Sequence, residues 1–421
     1  MTHPATVAMA AQIRTVLATQ ALTGSQAKLY SQRLRRDMGR DGLASFSGGD
    51  VVGLLDEAML LLESSWLERS ADLASPWRTA VKRAAEILEW LSQTDLRPKG
   101  APLHLLAAAA YQLADFPAMA IGHLRRLPAE EPLSELLRNF LRADFPATFA
   151  ATQNFWNARR SVLQGSLDRV PDLEDATVQH IIMCVGTICA HLRMGSDVPV
   201  ERAIIKLERL AVSYLHSRDP FSYLLARLTA ASARRFVETS MWPQIEQLRL
   251  VSSAAAGAAL TQFARSAYIS RRALVWPAQA VGIERLREKT SFVLCTPTGS
   301  GKTTVATLGA VQGLFADAGA AATIAPTLGN LVLYLVPSRA LAAEVEERLA
   351  EDLRGISARP VVVAGLYGGV DWGPTDAWIQ TDQPTVVICT FEKADALLRY
   401  LGILFLDRVR TVVIDEAHMV D

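Results

Sequence analysis

The sequence predicts two kinds of fold in one chain: an α-helical N-terminal region, residues 1–260, and an α/β region with a parallel sheet, residues 261–421. Three observations carry this. Up to about residue 260, apolar residues recur at helical spacing and no long run alternates with period two. From about residue 265, short runs rich in Val, Ile and Leu alternate with helical stretches, the grammar of parallel strands covered on both faces. Between the first of those runs and the next helix lies a glycine-bearing turn, Thr296-Pro297-Thr298-Gly299-Ser300-Gly301-Lys302-Thr303-Thr304.

In the helical region, Val51 to Trp66 places Leu54, Leu55, Met59, Leu62 and Trp66 on one face. Trp77 to Leu91 repeats the pattern with Val81, Ala84, Ala85, Ile87 and Leu88. Ile181 to Met194 is apolar nearly all round and is expected to be a central helix. Breaks fall at Gly48-Gly49, Arg97-Pro98-Lys99-Gly100, Pro128 to Pro132, Pro171 and Asp219-Pro220. Ala108, Tyr111 and Ala120 have the spacing of a tetratricopeptide unit across the turn Asp115-Phe116-Pro117. No second copy is seen in register, so helical hairpins without a true repeat are expected. The pairs Arg35-Arg36, Arg125-Arg126, Arg159-Arg160 and Arg234-Arg235 are either a solvated face or a surface for nucleic acid or a protein partner.

In the α/β region, Phe292 to Cys295, Leu331 to Val336, Val361 to Ala364, Thr385 to Cys389 and Thr411 to Ile414 are predicted strands. Thr303 to Phe315, Arg339 to Leu353 and Lys393 to Tyr400 are predicted helices. The 421 residues suffice for two or three domains. Lys and Arg together number 43, as do Asp and Glu, so any grip on nucleic acid must be local rather than a global basic field. Cys184, Cys189, Cys295 and Cys389 lack Cys-x-x-Cys spacing, which argues against a zinc site and fits reduced thiols. Met1-Thr2-His3-Pro4 opens no signal pattern. The longest uncharged run, Ala318 to Ser338, contains Pro326, Gly329, Asn330 and Pro337, which suits a loop feeding a buried strand better than a membrane span. A cytoplasmic location without a membrane partner is expected.

The glycine-bearing turn carries the first chemistry. Glycines after a strand let backbone N–H groups point inward and cradle phosphate oxygens. Thr298, Gly299, Ser300 and Gly301 would form the cradle, with Lys302 reaching the β- and γ-phosphates, the Thr303 hydroxyl on Mg2+ and Thr304 beside it. The general pattern is G-x-x-x-x-G-K-[ST], and Thr296 stands where its first glycine would be. The second motif is Val412-Val413-Ile414-Asp415-Glu416-Ala417-His418. An apolar strand there delivers two acids to the carboxyl edge of the sheet, where α/β folds bind ligands. Asp415 can hold Mg2+, and Glu416 can orient or deprotonate an attacking water. Lys302, Asp415 and Glu416 are the candidate catalytic set.

With both motifs in this order, residues from about 265 to 421 resemble DEAD/DEAH-box helicases of superfamily 2, whose motor domain is RecA-like; Asp415 to His418 spells that family's box. Trp276-Pro277-Ala278-Gln279 resembles the Q motif, which implies that Gln279 reads the adenine edge. Pro337-Ser338-Arg339-Ala340-Leu341 resembles motif Ia, and Gly368-Gly369 the glycine pair after the third strand. Thr390-Phe391-Glu392-Lys393 resembles motif Ib as it occurs in the Ski-like branch, with Phe391 replacing the usual proline. The resemblance implies ATP and Mg2+ as cofactors and DNA or RNA as partner. Pro337, Ser338, Arg339, Gly368, Gly369, Thr390, Phe391 and Glu392 are the candidate nucleic-acid contacts. They lie at strand ends beside helix N-termini, whose free N–H groups and dipoles suit phosphates. None is aimed at base edges, so sequence-tolerant binding is expected.

The sequence stops three residues after His418. The resemblance implies a further strand, carrying motif III, between the phosphate-loop strand and the Asp415 strand, and then a second RecA-like domain. The α/β region is therefore expected to be incomplete, truncated after the DEAH box, binding ATP without turnover or unwinding by this chain alone. The favoured function is an ATP-dependent nucleic-acid helicase with a helical extension. The alternatives are a double-strand translocase of restriction or anti-phage type, or a scaffold that recruits a protein partner through residues 1–260 beside an inactive motor remnant. Helical extensions on such helicases resemble the arrangement in anti-phage systems such as Hachiman, an analogy of architecture with no motif behind it.

Overall fold

The computed structural model describes residues 8, 11, 12, 15, 24–38, 48–66, 76–93, 98, 100–125, 132–163, 173–195, 198–217, 219–296, 301–317, 328–367 and 377–417. The chain divides into two compact units, Met1–His191 with Ser196–Val237, and Leu192–Gly195 with Glu238–Asp421. Among the described residues no helix is long and apolar enough to cross a membrane.

Regular structure in the described part of the first unit is all helical: α1 (Gly24–Asp37), α2 (Gly48–Trp66), α3 (Pro76–Ser92), α4 (Leu103–Leu113), α5 (Pro117–Leu124), α6 (Pro132–Leu141), α7 (Phe145–Leu163), α8 (Leu173–Met194), α9 (Val200–His216) and α10 (Pro220–Glu238). Among the described residues of the first unit, α4 is more fully enclosed than the predicted central stretch Ile181–Met194, although Ile182, Val185, Ile188 and Cys189 of that stretch are buried. Every residue of α4 but His104 is buried, whereas Met183 and Met194 on α8 are exposed. Ala107 to Ala110 explain the difference, because small side chains let neighbouring helices approach α4 from several sides. The pair Arg234-Arg235 is used inside the unit. Arg234 pairs with Glu201 at 3.1 Å and Glu208 at 3.4 Å, and Arg235 with Asp115.

Two corners between helices share one pentapeptide, Ala-Asp-Phe-Pro-Ala, at residues 114–118 and 143–147. At the first, α4 ends on Asp115 in the left-handed region, with φ 66°. The Asp115 N–H donates to the Gln112 carbonyl and the Phe116 N–H to the Tyr111 carbonyl, a Schellman cap. Pro117 then opens α5. At the second, the left-handed residue is Ala143, with φ 58°. Its N–H donates to Phe140 and that of Asp144 to Asn139. The Asp144 carboxylate then caps α7 by accepting from the Ala147 N–H at 3.3 Å. The tetratricopeptide-like spacing marks the first corner, and its residues Ala108, Tyr111 and Ala120 are fully buried. That spacing does not recur at the second corner, where Leu137, Phe140 and Phe149 stand at the corresponding positions.

In the second unit, α11 (Met241–Val251), α12 (Ala254–Ile269), α13 (Pro277–Arg287), α14 (Lys302–Leu314), α15 (Arg339–Asp352), α16 (Ala377–Gln380) and α17 (Phe391–Leu406, interrupted at Gly402) accompany four strands. These are β1 (Leu331–Val336), β2 (Val362–Leu366), β3 (Thr385–Thr390) and β4 (Val409–Ile414). They form one parallel sheet in the order β2-β3-β1-β4. One face, with Val332, Tyr334, Val336, Val386 and Ile388, packs with α11, α12, α14 and α15. The other, with Leu331, Leu333, Val387 and Cys389, packs with Trp378 of α16 and with Ala394, Leu397 and Phe405 of α17. The change of grammar near residue 260 assigns α11 and α12 to the helical region, but they belong to this core. Leu260 and Phe263 pack in it; Ser253 donates to the Phe315 carbonyl at 2.5 Å, and Gln312 to the Ser252 hydroxyl at 2.9 Å.

The predicted strand Phe292 to Cys295 is corrected by the structure. This stretch joins no ladder. Its side chains still alternate, with Phe292 and Leu294 against the core and Val293 82% exposed. An extended segment becomes a strand only by hydrogen-bonding to a neighbour. Among the described residues, β4 pairs with β1 alone.

Candidate nucleotide site

Gly301, the N-cap of α14, has φ 80°. A side chain there would be strained in the left-handed region, and its Cβ would overlap the Gln279 amide. Gln279 lies in the first turn of α13 and is buried. Its Oε1 accepts from the Trp276 N–H at 2.9 Å, and its Nε2 donates to the Gly301 carbonyl at 3.2 Å. The structure thus ties the residue expected to read adenine to the end of the phosphate loop. Lys302 and Thr303 follow in the first turn of α14, where backbone N–H groups lack helical acceptors. Thr304 is buried, with its N–H on the Gly301 carbonyl. Thr298, Gly299 and Ser300 lie outside the described residues.

The acids arrive from β4. The Asp415 N–H extends the ladder to the Leu335 carbonyl at 2.9 Å. The Asp415 Oδ1 accepts from the Glu416 N–H at 3.0 Å, and its Oδ2 accepts from the Tyr334 hydroxyl at 3.2 Å. Burial, followed by the charge of Asp415 and the bond to it, raises the Tyr334 phenol above its ordinary pKa. Glu416 turns out of the strand with φ 50°. Its carboxylate Oε1 is 3.8 Å from the Lys302 Nζ. The fold thus brings Lys302, Asp415 and Glu416 to one edge of the sheet. His418 lies outside the described residues.

This arrangement suits a metal–nucleotide. A left-handed glycine at the helix start and the free N–H groups of the turn that follows it suit anions. A lysine and two carboxylates beside them suit phosphates and a divalent cation together. Lys302 and the first turn of α14 would hold the phosphates, and Thr303 and Asp415 would hold Mg2+. Bound there, Mg2+ would neutralise phosphate charge.

The candidate nucleic-acid residues lie at the ends of β1 and β3. Ser338, next to Pro337, caps α15 by accepting from the Leu341 N–H at 3.3 Å, and Arg339 is exposed beside it. Thr390 ends β3, and Phe391 and Glu392 open α17. Hydrogen bonds from the Glu392 N–H and the Thr390 hydroxyl, with the nearby Arg339 charge, hold the Glu392 carboxyl below its ordinary pKa. Val336 pairs with Thr390, so the ends of β1 and β3 that carry these residues lie side by side. Gly368 and Gly369 lie outside the described residues. Just before them, Glu346 of α15 accepts from the Gly365 N–H at 3.0 Å and the Tyr367 hydroxyl at 2.5 Å. Sequence reasoning missed both Glu346 and Tyr334. For Tyr334 a signal existed, a lone hydroxyl in the run Leu-Val-Leu-Tyr-Leu-Val.

Comparison with known proteins agrees with this geometry. Residues 276–421 match the DEAD/DEAH box helicase family. Hachiman protein HamB of Bacillus cereus is 37% identical over 135 residues, which are 32% of this chain and 11% of that protein. The Lhr helicase of Mycolicibacterium smegmatis is 34% identical over 153 residues, 34% of this chain and 10% of that protein. The ATP-dependent DNA helicase Hel308 of Thermococcus kodakarensis is 32% identical over 148 residues, 35% and 11% of the two chains. The match spans about a tenth of the length of each of these relatives. Residues 276–421 are a DEAD/DEAH box helicase domain of superfamily 2.

Proposed function

We propose that this chain binds ATP with Mg2+ and serves as the nucleotide-binding part of a nucleic-acid helicase. The observation that carries this is the convergence of Lys302 with Glu416 and its neighbour Asp415 at the carboxyl edge of a parallel sheet. Lys302 would hold the phosphates, Asp415 would hold the cation, and Glu416 would orient water for in-line attack. The strand ends carrying Ser338, Arg339, Thr390 and Glu392 offer backbone contacts without base readout, so DNA or RNA is held in a sequence-tolerant way. The Thr390-Phe391-Glu392-Lys393 form supports the Ski-like branch. The test is binding of a fluorescent ATP analogue with Mg2+ by the wild-type chain and by Lys302→Ala. Saturable binding by the wild type and its loss in the variant are expected; equal binding by both sinks the reading.

Similarity to Hachiman protein HamB favours a second reading of the biological setting. In it, the chain belongs to an anti-phage defence system, with the helical unit holding a partner protein. Phage plating on cells with the intact gene, with Lys302→Ala and without the gene tests this. Equal plaque counts in all three strains rule it out.

A further inference from the structure

We propose that Tyr334 is a positioning residue that fixes the Asp415 carboxylate for its metal–nucleotide. The proposal rests on reading Asp415 as the metal-facing acid. Strand β1, Leu331–Val336, is otherwise built of Leu and Val. The Tyr334 hydroxyl is the one polar side-chain atom it carries, and only 1% of the residue is exposed. Its ring is packed in the core with Val332, Val336 and Ile388, so the hydroxyl cannot swing away. Parallel pairing sets Tyr334 opposite Val413, and Asp415 lies two residues on, on the same side of β4. The hydroxyl donates to Asp415 Oδ2 at 3.2 Å, while the Glu416 N–H donates to Oδ1 at 3.0 Å.

Both carboxylate oxygens are therefore held, Oδ2 by a side chain of β1 and Oδ1 by the backbone N–H of the turn that follows β4. An ionised carboxylate accepts at about four positions, so each oxygen keeps a free direction. Two donors on different oxygens fix the plane of the group and so decide where those free directions point. Partners of this kind behind a metal-facing carboxylate typically change metal affinity about 10- to 100-fold. Asp415 keeps its Glu416 bond without Tyr334, which places the expected effect at the lower end. A phenylalanine would fill the same core space and demand no acceptor. The hydroxyl is thus separable from the packing.

The experiment uses the full chain as wild type, Tyr334→Phe, Asp415→Asn and the double variant. Mg2+ is titrated at a fixed concentration of fluorescent ATP analogue, and binding is repeated in EDTA. Thermal unfolding of each nucleotide-free chain is measured alongside. Tyr334→Phe is expected to raise half-saturating Mg2+ about 10-fold while binding in EDTA stays as in the wild type. In the Asp415→Asn background it is expected to add nothing, because Tyr334 acts through that carboxylate. Unchanged Mg2+ dependence in Tyr334→Phe overturns the proposal, as does a full additional loss in the double variant. Weakening that appears equally in EDTA and follows a lowered unfolding midpoint assigns Tyr334 to packing and also overturns it. Absence of analogue binding by the wild type, with or without Mg2+, instead overturns the nucleotide-site reading beneath it.

Discussion

The two Ala-Asp-Phe-Pro-Ala corners present the same five residues in two surroundings. At 114–118 the aspartate is the left-handed residue that ends a helix, and Arg78 and Arg235 bind its carboxylate. At 143–147 the aspartate instead starts a helix, capping α7. The phenylalanines differ as much. Phe116 is 37% exposed, with the Lys82 ammonium 4.6 Å from its ring centre. Phe145 is buried edge-on against Phe140 and Phe236, with centroids 6.1 and 5.2 Å away. The proline sets a corner in both places, since it stops one helix and opens the next. Which residue turns left-handed, and which side chain is buried, is decided by the helices that meet there.

Phe145→Ala empties a fully enclosed aromatic site and is expected to destabilise the first unit by about 3–5 kcal/mol, read from urea or thermal unfolding. Asp115→Ala is expected to cost about 2–3 kcal/mol, because it leaves Arg78 and Arg235 without their carboxylate and puts alanine in the left-handed region. Asp115→Asn sharpens the point. Asparagine tolerates that region and keeps an acceptor for the two guanidinium groups, so it is expected to cost less than alanine in the same unfolding assay. Asp144→Ala removes only an N-cap and should cost about 1 kcal/mol. Phe116→Ala loses an exposed ring and one cation contact, about 0.5 kcal/mol. If Phe116→Ala proved as costly as Phe145→Ala, burial would not be what separates the corners.

The same division runs through the second unit. Strands β1, β2, β3 and β4 were legible to within two residues at either end, because Val-, Ile- and Leu-rich runs between loops fit a pleated sheet. Phe292 to Cys295 had the right composition and the right alternation but no partner strand among the described residues, and composition cannot supply one. The change of grammar was also legible, although α11 and α12 joined the sheet's core. A helical pattern shows that a face will be buried without saying what covers it.

For the site, Lys302, Asp415 and Glu416 could be named from motifs, since each needs only its local strand or helix to reach the sheet edge. Gln279 could also be named. Its two bonds, to Trp276 and Gly301, depend on how α13 and α14 pack. Glu346 and Tyr334 belong to no motif. They act across strand and helix boundaries, on residues far along the chain.

Local pattern is enough for the elements and the chemistry they carry: a helical region, short apolar strands, a glycine-bearing turn ending in lysine and threonine, and an acid pair at a strand end. These follow from short-range rules of periodicity, steric freedom and charge. Tertiary structure alone decided which strands pair, which of two identical pentapeptides buries its phenylalanine, and which hydroxyl holds the Asp415 carboxylate. Those outcomes depend on hydrogen bonds and contacts between residues distant in sequence, and a local pattern does not encode its neighbours.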